Sequence, residues 1–202
     1  MPAHNHLTRT VELNLSSDEV AARIGEEYRQ MDSEMTPEIE MAAHLLLAIN
    51  ETLYEQMVGD GLSVYDTPDD PYNSYEEMYL DIGINNTLGV FSGGSCAPYM
   101  GSIPTYAEHA TVVHRAVHDY WGHYKNDVDF SFVGEFSKWH YMKPYYPEIC
   151  HRLTFADVVG QLAYAQQLPD HFNDEKFEQK AILAPENWID WCYENLDVPF
   201  TR

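Results

Sequence analysis

The sequence predicts a mainly α-helical single domain spanning residues 1–202, with a long irregular insertion over about residues 60–104 and the makings of one short N-terminal strand. Three observations predict it. Apolar residues recur at three- and four-residue intervals through several long segments, the period of a helix with one buried face. Helix-opening signals precede those segments: Ser16 with Glu19, Thr36 with Pro37, and Thr105 with Glu108. Between Gly59 and Pro104, clustered Pro, Gly, Asn and Asp interrupt that period.

Taken in order, Thr10-Val11-Glu12-Leu13-Asn14-Leu15 alternates with period two and could form a strand. The capping box from Ser16 to Glu19 opens a helix to about Met31. Thr36-Pro37-Glu38 starts the next, whose apolar stripe is Ile39, Ala42, Ala43, Leu46, Ile49, Leu53 and Met57; Gly59-Asp60-Gly61 ends it. In the insertion, the turn-rich segments 66–74 and 91–95 flank one short helix, Tyr75 to Ile82. Loops of such length serve commonly as lids or substrate contacts. A helix capped at Thr105 runs to about Tyr124, and another spans Val133 to Met142. Pro144 and Pro147 break the chain, and helices follow over Phe155 to Gln167 and Asp174 to Leu183. Pro185-Glu186-Asn187 opens the last, whose Trp188 and Trp191 suit either a core or a homodimer patch.

Composition narrows the function. The net charge is −22, from 33 acids against 11 bases. Such a surface repels nucleic acid, so direct DNA or RNA binding is not expected. The bases include only five lysines, which favours a protein of a high-salt cytoplasm over an acidic mimic of nucleic acid or a simply acidic protein. Cys96, Cys150 and Cys192 are far apart and odd in number, which excludes a disulfide framework and a Cys zinc site and reads as reduced, buried thiols. No apolar run approaches the roughly 20 residues of a membrane span, and the first residues lack a secretory leader, so the expected location is the cytoplasm.

The chemistry concentrates in one segment. Residues 108–140 hold five of the ten histidines, at positions 109, 114, 118, 123 and 140. His118-Asp119-Tyr120-Trp121-Gly122-His123, followed by Glu135 and His140, is the ligand vocabulary of Zn(II) or Fe(II). On an α-helix residues five apart lie roughly 140° around the axis. His118 and His123 therefore meet at one ion only if the helix is distorted between them, and Gly122 would permit that. Glu135 and His140 repeat the spacing, so two segments could close one site with His118, His123 and Glu135 as ligands and His140 as a fourth. Asp119 is a candidate general base or an orienter of an imidazole. Arg115 is a candidate for binding an anionic substrate group or for pairing with one of the many acids. His109 reads as a surface residue, and His44 as a hydrogen-bonded core histidine on the helix after Thr36.

Arg115-Ala116-Val117-His118-Asp119-Tyr120-Trp121-Gly122-His123, then Phe130, Gly134-Glu135 and Trp139-His140, resembles a group of uncharacterised bacteriophage and archaeal-virus proteins. The resemblance runs over residues 105–184 and implies a shared site in a protein of viral type, acting in a host cytoplasm. The His118-to-His123 spacing is also similar to the H-E-x-x-G-H iron motif of aromatic amino acid hydroxylases, with Asp119 where that family has Glu. That likeness implies a facial triad of His118, His123 and Glu135 and iron chemistry with oxygen. A weaker likeness to HD-type phosphohydrolases would use His44, His118-Asp119 and Asp157 or Asp170 to activate water. The expected function is a metal-dependent enzyme with one non-haem Fe(II) or Zn(II), oxygenase-like or hydrolytic, acting on a small molecule or nucleotide. The competing class is non-enzymatic: an acidic nucleic-acid mimic, or a virion component with a structural metal.

Overall fold

Caps decide where the first two helices begin. In the computed structural model, which describes residues 15–93, 97–101 and 107–200, helix α1 spans Ser17–Gln30. The Ser16 hydroxyl accepts from the Glu19 amide at 3.3 Å, and the Glu19 carboxylate accepts from the Ser16 amide at 2.8 Å, the reciprocal pairing foreseen from sequence. Helix α2, Pro37–Gly59, starts under Thr36, whose hydroxyl accepts from the Ile39 amide. Its buried edge runs from Ile39 through Leu46 and Leu53 to Met57, with Asn50 in the middle of it.

The remaining elements wrap these two. Strand β1 (Ser63–Thr67), α3 (Tyr75–Leu80), a π turn (Asp81–Asn85) and β2 (Thr87–Phe91) form one unit. α4 (Pro98–Gly101) precedes α5 (Ala107–Val117), which passes into a second π turn, His118–His123. α6 (Phe132–Met142) and α7 (Glu148–Phe155) follow, then a third π turn (Ala156–Gly160), α8 (Gln161–Ala165) and α9 (Glu186–Asn195). One core gathers Tyr28, Phe136, Trp139, Phe155 and Trp188 between α1, α6, α7 and α9. A second packs Leu46, Tyr99 and Leu153 between α2, α4 and α7, and a third packs Met57, Met78, Leu88 and Tyr120 beneath the sheet. Among the described residues, no helix is long and apolar enough to cross a membrane. Cys150 and Cys192 are free and buried, and Cys96 lies outside the described residues.

The mainly helical class stands, with three differences in detail. The insertion is not wholly irregular: β1 and β2 pair in parallel, Ser63 with Thr87 through Thr67 with Phe91, and α3 serves as the crossover such a pair requires. Helix α7 begins at Glu148, because Pro147 stands at its N-cap, where a missing amide costs nothing. The segment from Asp174 to Leu183 is not a helix. Its backbone groups are committed elsewhere: Ala181 donates to the Ser33 hydroxyl and its carbonyl accepts from Glu34, while Ala184 donates to the Arg152 carbonyl. The N-terminal strand falls almost wholly outside the described residues, as does the Thr105 capping box.

Lys180 explains how this extended segment is fastened. Its buried ammonium donates to the Arg29 carbonyl at 2.9 Å, to Met31 at 2.5 Å and to Tyr28 at 3.3 Å. These carbonyls lie at the negative pole of α1; those of Arg29 and Met31 are past the end of its ladder, and that of Tyr28 also accepts from the Met31 amide. Replacing Lys180 with Met keeps the stem but takes this donor from the Arg29 and Met31 carbonyls. We expect about 2 kcal/mol of destabilisation, read as a lower urea midpoint at unchanged slope.

Candidate metal centre

The site is built on a helix that changes its hydrogen-bonding pitch. From His118 to His123 the chain forms a π turn, closed where the Tyr124 amide donates to the Asp119 carbonyl five residues back. Wider winding reduces the angle between residues five apart, so His118 and His123 come to the same side. The side chain of Asn126 supports the distortion by donating to the carbonyls of Trp121 and Gly122 at 2.7 and 2.9 Å. Trp121 is pinned by its indole donating to the Leu53 carbonyl. Asp127, with φ of 52°, reverses the chain, and Ser131 caps α6 by accepting from the Gly134 amide. That cap puts Glu135 on the first turn of α6, facing the two histidines.

Three donor atoms converge. His123 Nε2 lies 2.9 Å from His118 Nε2 and 3.2 Å from Glu135 Oε1, and His118 Nε2 lies 3.3 Å from the same oxygen. Metal–ligand bonds of about 2.0–2.2 Å, at angles between tetrahedral and octahedral, separate neighbouring donors by about 3.0–3.4 Å. The spacing therefore matches a common first-row ion. His123 is fully buried, and its Nδ1–H donates to the Val128 carbonyl at 2.9 Å, which leaves the Nε2 lone pair facing its neighbours. The second oxygen of Glu135, Oε2, is buried and has no hydrogen-bond partner among the described residues. A buried carboxylate oxygen without a donor is costly, and a cation removes that cost. Among the described residues, His118, His123 and Glu135 form the group able to hold a metal ion.

Electrostatics sets the protonation a metal requires. Burial pushes His118 down to about 3, helped by the charge of Lys138 and opposed by Glu135. Burial works against the Glu135 charge, but the two histidines outweigh it and hold the carboxyl well below the usual carboxylate range. At neutral pH the site thus offers a neutral His118 imidazole beside an ionised carboxylate, as ligation demands. Asp119 sits at the margin, 4.0 Å from His118 Nε2, and burial raises its carboxyl to about 7.

The other expected residues fall elsewhere. His140, offered as a fourth ligand, is not in the group. Its Nδ1 lies 2.6 Å from the Tyr193 hydroxyl and its ring stacks on Phe200 at 3.8 Å. Helix α6 is a regular α-helix, so five residues from Glu135 carry His140 to another face. Arg115 donates to the carbonyls of Phe91 and Gly93 at 2.5 and 2.9 Å and lies over the Phe91 ring, fastening α5 to the end of β2. His44 is exposed rather than buried in a core, and it takes no part in the cluster. Gly122 has no unusual backbone angle; its missing side chain makes room, because a Cβ there would lie 2.6 Å from Lys138 Cγ.

Two features escaped the sequence. Lys138 is buried, with Nζ 2.7 Å from His118 Nδ1, and burial lowers the pKa of its ammonium against the pull of Glu135, Asp157 and Asp119. A polar chain also floors the site. The Tyr146 hydroxyl donates to Asn50 Oδ1 at 2.7 Å, Asn50 Nδ2 donates to His114 Nδ1 at 2.9 Å, and His114 Nε2–H donates to Asp157 at 3.1 Å. Both nitrogens of His114 are thereby used, so it is held as a structural histidine. A cavity of about 20 Å³, room for one water, lies between this chain and the metal-facing residues, bounded by His114, His118, Lys138, Trp139 and Tyr146. The signal for both features was a polar residue inside an apolar stripe: Asn50 between Leu46 and Leu53, Lys138 between Phe136 and Trp139. No family model, curated protein or solved structure matches the chain.

The Asp119 shift gives a prediction for the metal-free protein. The folded state holds this proton up to about pH 7, whereas an unfolded chain releases it near pH 4. The folded state is therefore penalised as pH rises through that window. Asp119→Asn removes the penalty, so its stability gain over the parent should be small at pH 4, grow between pH 4 and 7, and level off above. Urea denaturation in chelator across that range measures it.

Proposed function

We propose that the chain is a metal-dependent enzyme that holds one non-haem Fe(II) or Zn(II) ion through His118, His123 and Glu135, with a small molecule or nucleotide as substrate. The observation that carries this reading is the convergence of two imidazole Nε2 atoms and one buried carboxylate on a common point. Two histidines and one carboxylate, with His140 turned away, make a three-ligand set. Such a set leaves positions open for substrate, whereas structural sites close with four ligands. A bound ion there supplies Lewis acidity and, if iron, the electron transfers of oxygen chemistry.

The chain's own residues do the rest. His123 is locked by Val128, so it presents one nitrogen in one tautomer. Asp119, with its carboxyl raised to about 7, is the group able to take or give a proton beside the centre. Phe130 stands edge-on to the His123 ring at 4.8 Å and is part-exposed, which places it at the solvent side of the ligands. The virus-protein pattern quoted above includes the same three ligand positions and accords with a shared centre. The phosphohydrolase reading loses its first histidine with the exposure of His44.

Metal content decides the matter. Protein purified without chelator or affinity tag, analysed by plasma mass spectrometry, should carry about one Fe or Zn per chain. A folded His118→Ala/His123→Ala double variant should carry none. Iron directs the next assays to oxygen-dependent turnover and zinc to hydrolysis. No metal in either protein, even after anaerobic reconstitution, overturns the reading.

A further inference from the structure

We propose that Tyr75, carried by the insertion, is a positioning residue of the metal centre: it braces the loop 127–131 that orients His123. The inference rests on the metal-centre reading above. A histidine that ligates through Nε2 is aimed by the group that holds its other nitrogen. For His123 that group is the Val128 carbonyl, which accepts from Nδ1–H at 2.9 Å. The aim of His123 is therefore only as steady as the loop that carries Val128.

That loop is held on two sides. Towards α6, Asp129 Oδ1 accepts from the Ser131 amide at 3.1 Å, and a Cβ on Gly134 would collide with the Asp129 carbonyl oxygen, so the loop lies directly on the helix. On the other side the support is Tyr75. Its hydroxyl donates to Asp127 Oδ1 at 3.0 Å. Its ring meets Phe130 edge to face at 5.8 Å, and Phe130 meets the His123 ring in the same manner at 4.8 Å. One side chain thus touches both the residue before Val128 and the ring packed on the imidazole. Asp127 is where the loop most needs support: its φ of 52° is left-handed, a conformation that a residue with a side chain keeps only when its surroundings hold it there.

A brace transmits geometry only if it is itself fixed. Ser74 caps α3 by accepting from the Glu77 amide at 3.3 Å, which sets Tyr75 at the first helical position. Met78 is buried in the core beneath the sheet, and Tyr79 packs on Tyr124 at 5.1 Å, just beyond the π turn that carries both histidines. The insertion is thereby a working part of the centre rather than an appendage to it.

Packing alone predicts that variants of Tyr75 lose stability with the ligand geometry unaltered, and the test separates the two roles. Co(II) and Zn(II) affinities are measured by competition with a chromophoric chelator, together with the visible absorption of bound Co(II), the His123 imidazole N–H resonance of the metal-free protein, and urea unfolding. Tyr75→Leu removes ring and hydroxyl. It should weaken binding about 10-fold, the lower end of what the partners of ligating histidines are worth, and shift both the Co(II) bands and the resonance. Tyr75→Phe keeps the ring and should show part of each effect. Asp127→Asn keeps an acceptor oxygen and tolerates the left-handed backbone, so it should retain the parent's bands. Asp127→Gly adopts the same φ but deletes the acceptor, and adding Tyr75→Phe to it should cost nothing further. Parent affinity, bands and resonance in folded Tyr75→Leu and Tyr75→Phe, whatever their stability, overturn the proposal; if Tyr75→Leu does not fold, Tyr75→Phe and Asp127→Gly decide it in the same way. A parent protein that binds neither Co(II) nor Zn(II) removes the metal-centre reading itself, and this inference with it, whereas a parent that binds them with the variants unaltered removes this inference alone.

Discussion

One hydrogen-bonding register governs the site: the five-residue step between His118 and His123. An α-helix over the same residues would point the two imidazoles about 140° apart, and no movement of Glu135 could then gather all three donors. The π turn needs its own supports, because widening a helix loosens its carbonyls. Asn126 takes two of them and the Trp121 indole anchors the turn to α2. The chain reversal at Asp127 and the Ser131 cap then deliver Glu135 opposite. Apart from the Trp121 anchor on α2, these supports are local to the stretch between the histidines and the glutamate, so most of the ligand geometry is set by neighbours in sequence and then buried by the rest of the fold.

Burial makes that geometry electrically demanding. Glu135, Lys138 and two histidines are packed with Asp119 and Asp157 inside a region walled by Trp139 and Met142. Charges removed from water survive only with partners. Here the partners are mostly each other: Glu135 against the imidazoles, Lys138 against His118, Asp157 against His114. The atom this mutual arrangement leaves over is Glu135 Oε2. In a network so closely matched, one orphaned carboxylate oxygen beside two converging imidazole nitrogens is the place that a cation could fill.

Much of the helical frame was legible in sequence because capping chemistry is local. Ser16 with Glu19, and Thr36 with Pro37, announce their helices within four residues. The pairing of His118 with His123 was legible as a demand for distortion, and the distortion is there. The role of Gly122 was misread as backbone freedom, because the lysine stem that needs the space lies on another helix. The strands β1 and β2 were hidden by their shortness, by Gly89 inside β2 and by turn-forming neighbours such as Gly61 and Gly93. The segment after Asp174 carries helix-like residues, but its amides and carbonyls are bound to α1, α7 and the loop at Ser33, contacts no local pattern encodes. Lys138 and Asn50 gave the same sign, a polar side chain in an apolar row, whose meaning depends on what lies opposite.

The compact sequence span of the ligands bears on how the protein responds to metal during unfolding. All three donors lie between residues 118 and 135, so bringing them together closes only a short loop, and the entropy of doing so is modest. The floor beneath them is different, joining residues as distant as Asn50 and Tyr146. A chain that has lost the floor would therefore still carry its three donors close together in sequence. An ion bound by the unfolded chain as well as the folded one stabilises the fold by less than its affinity for the native protein would suggest. For an ion held by these three residues, tight binding and strong metal-dependent thermal protection would be separable properties, because the donors are close in sequence and the floor beneath them is not.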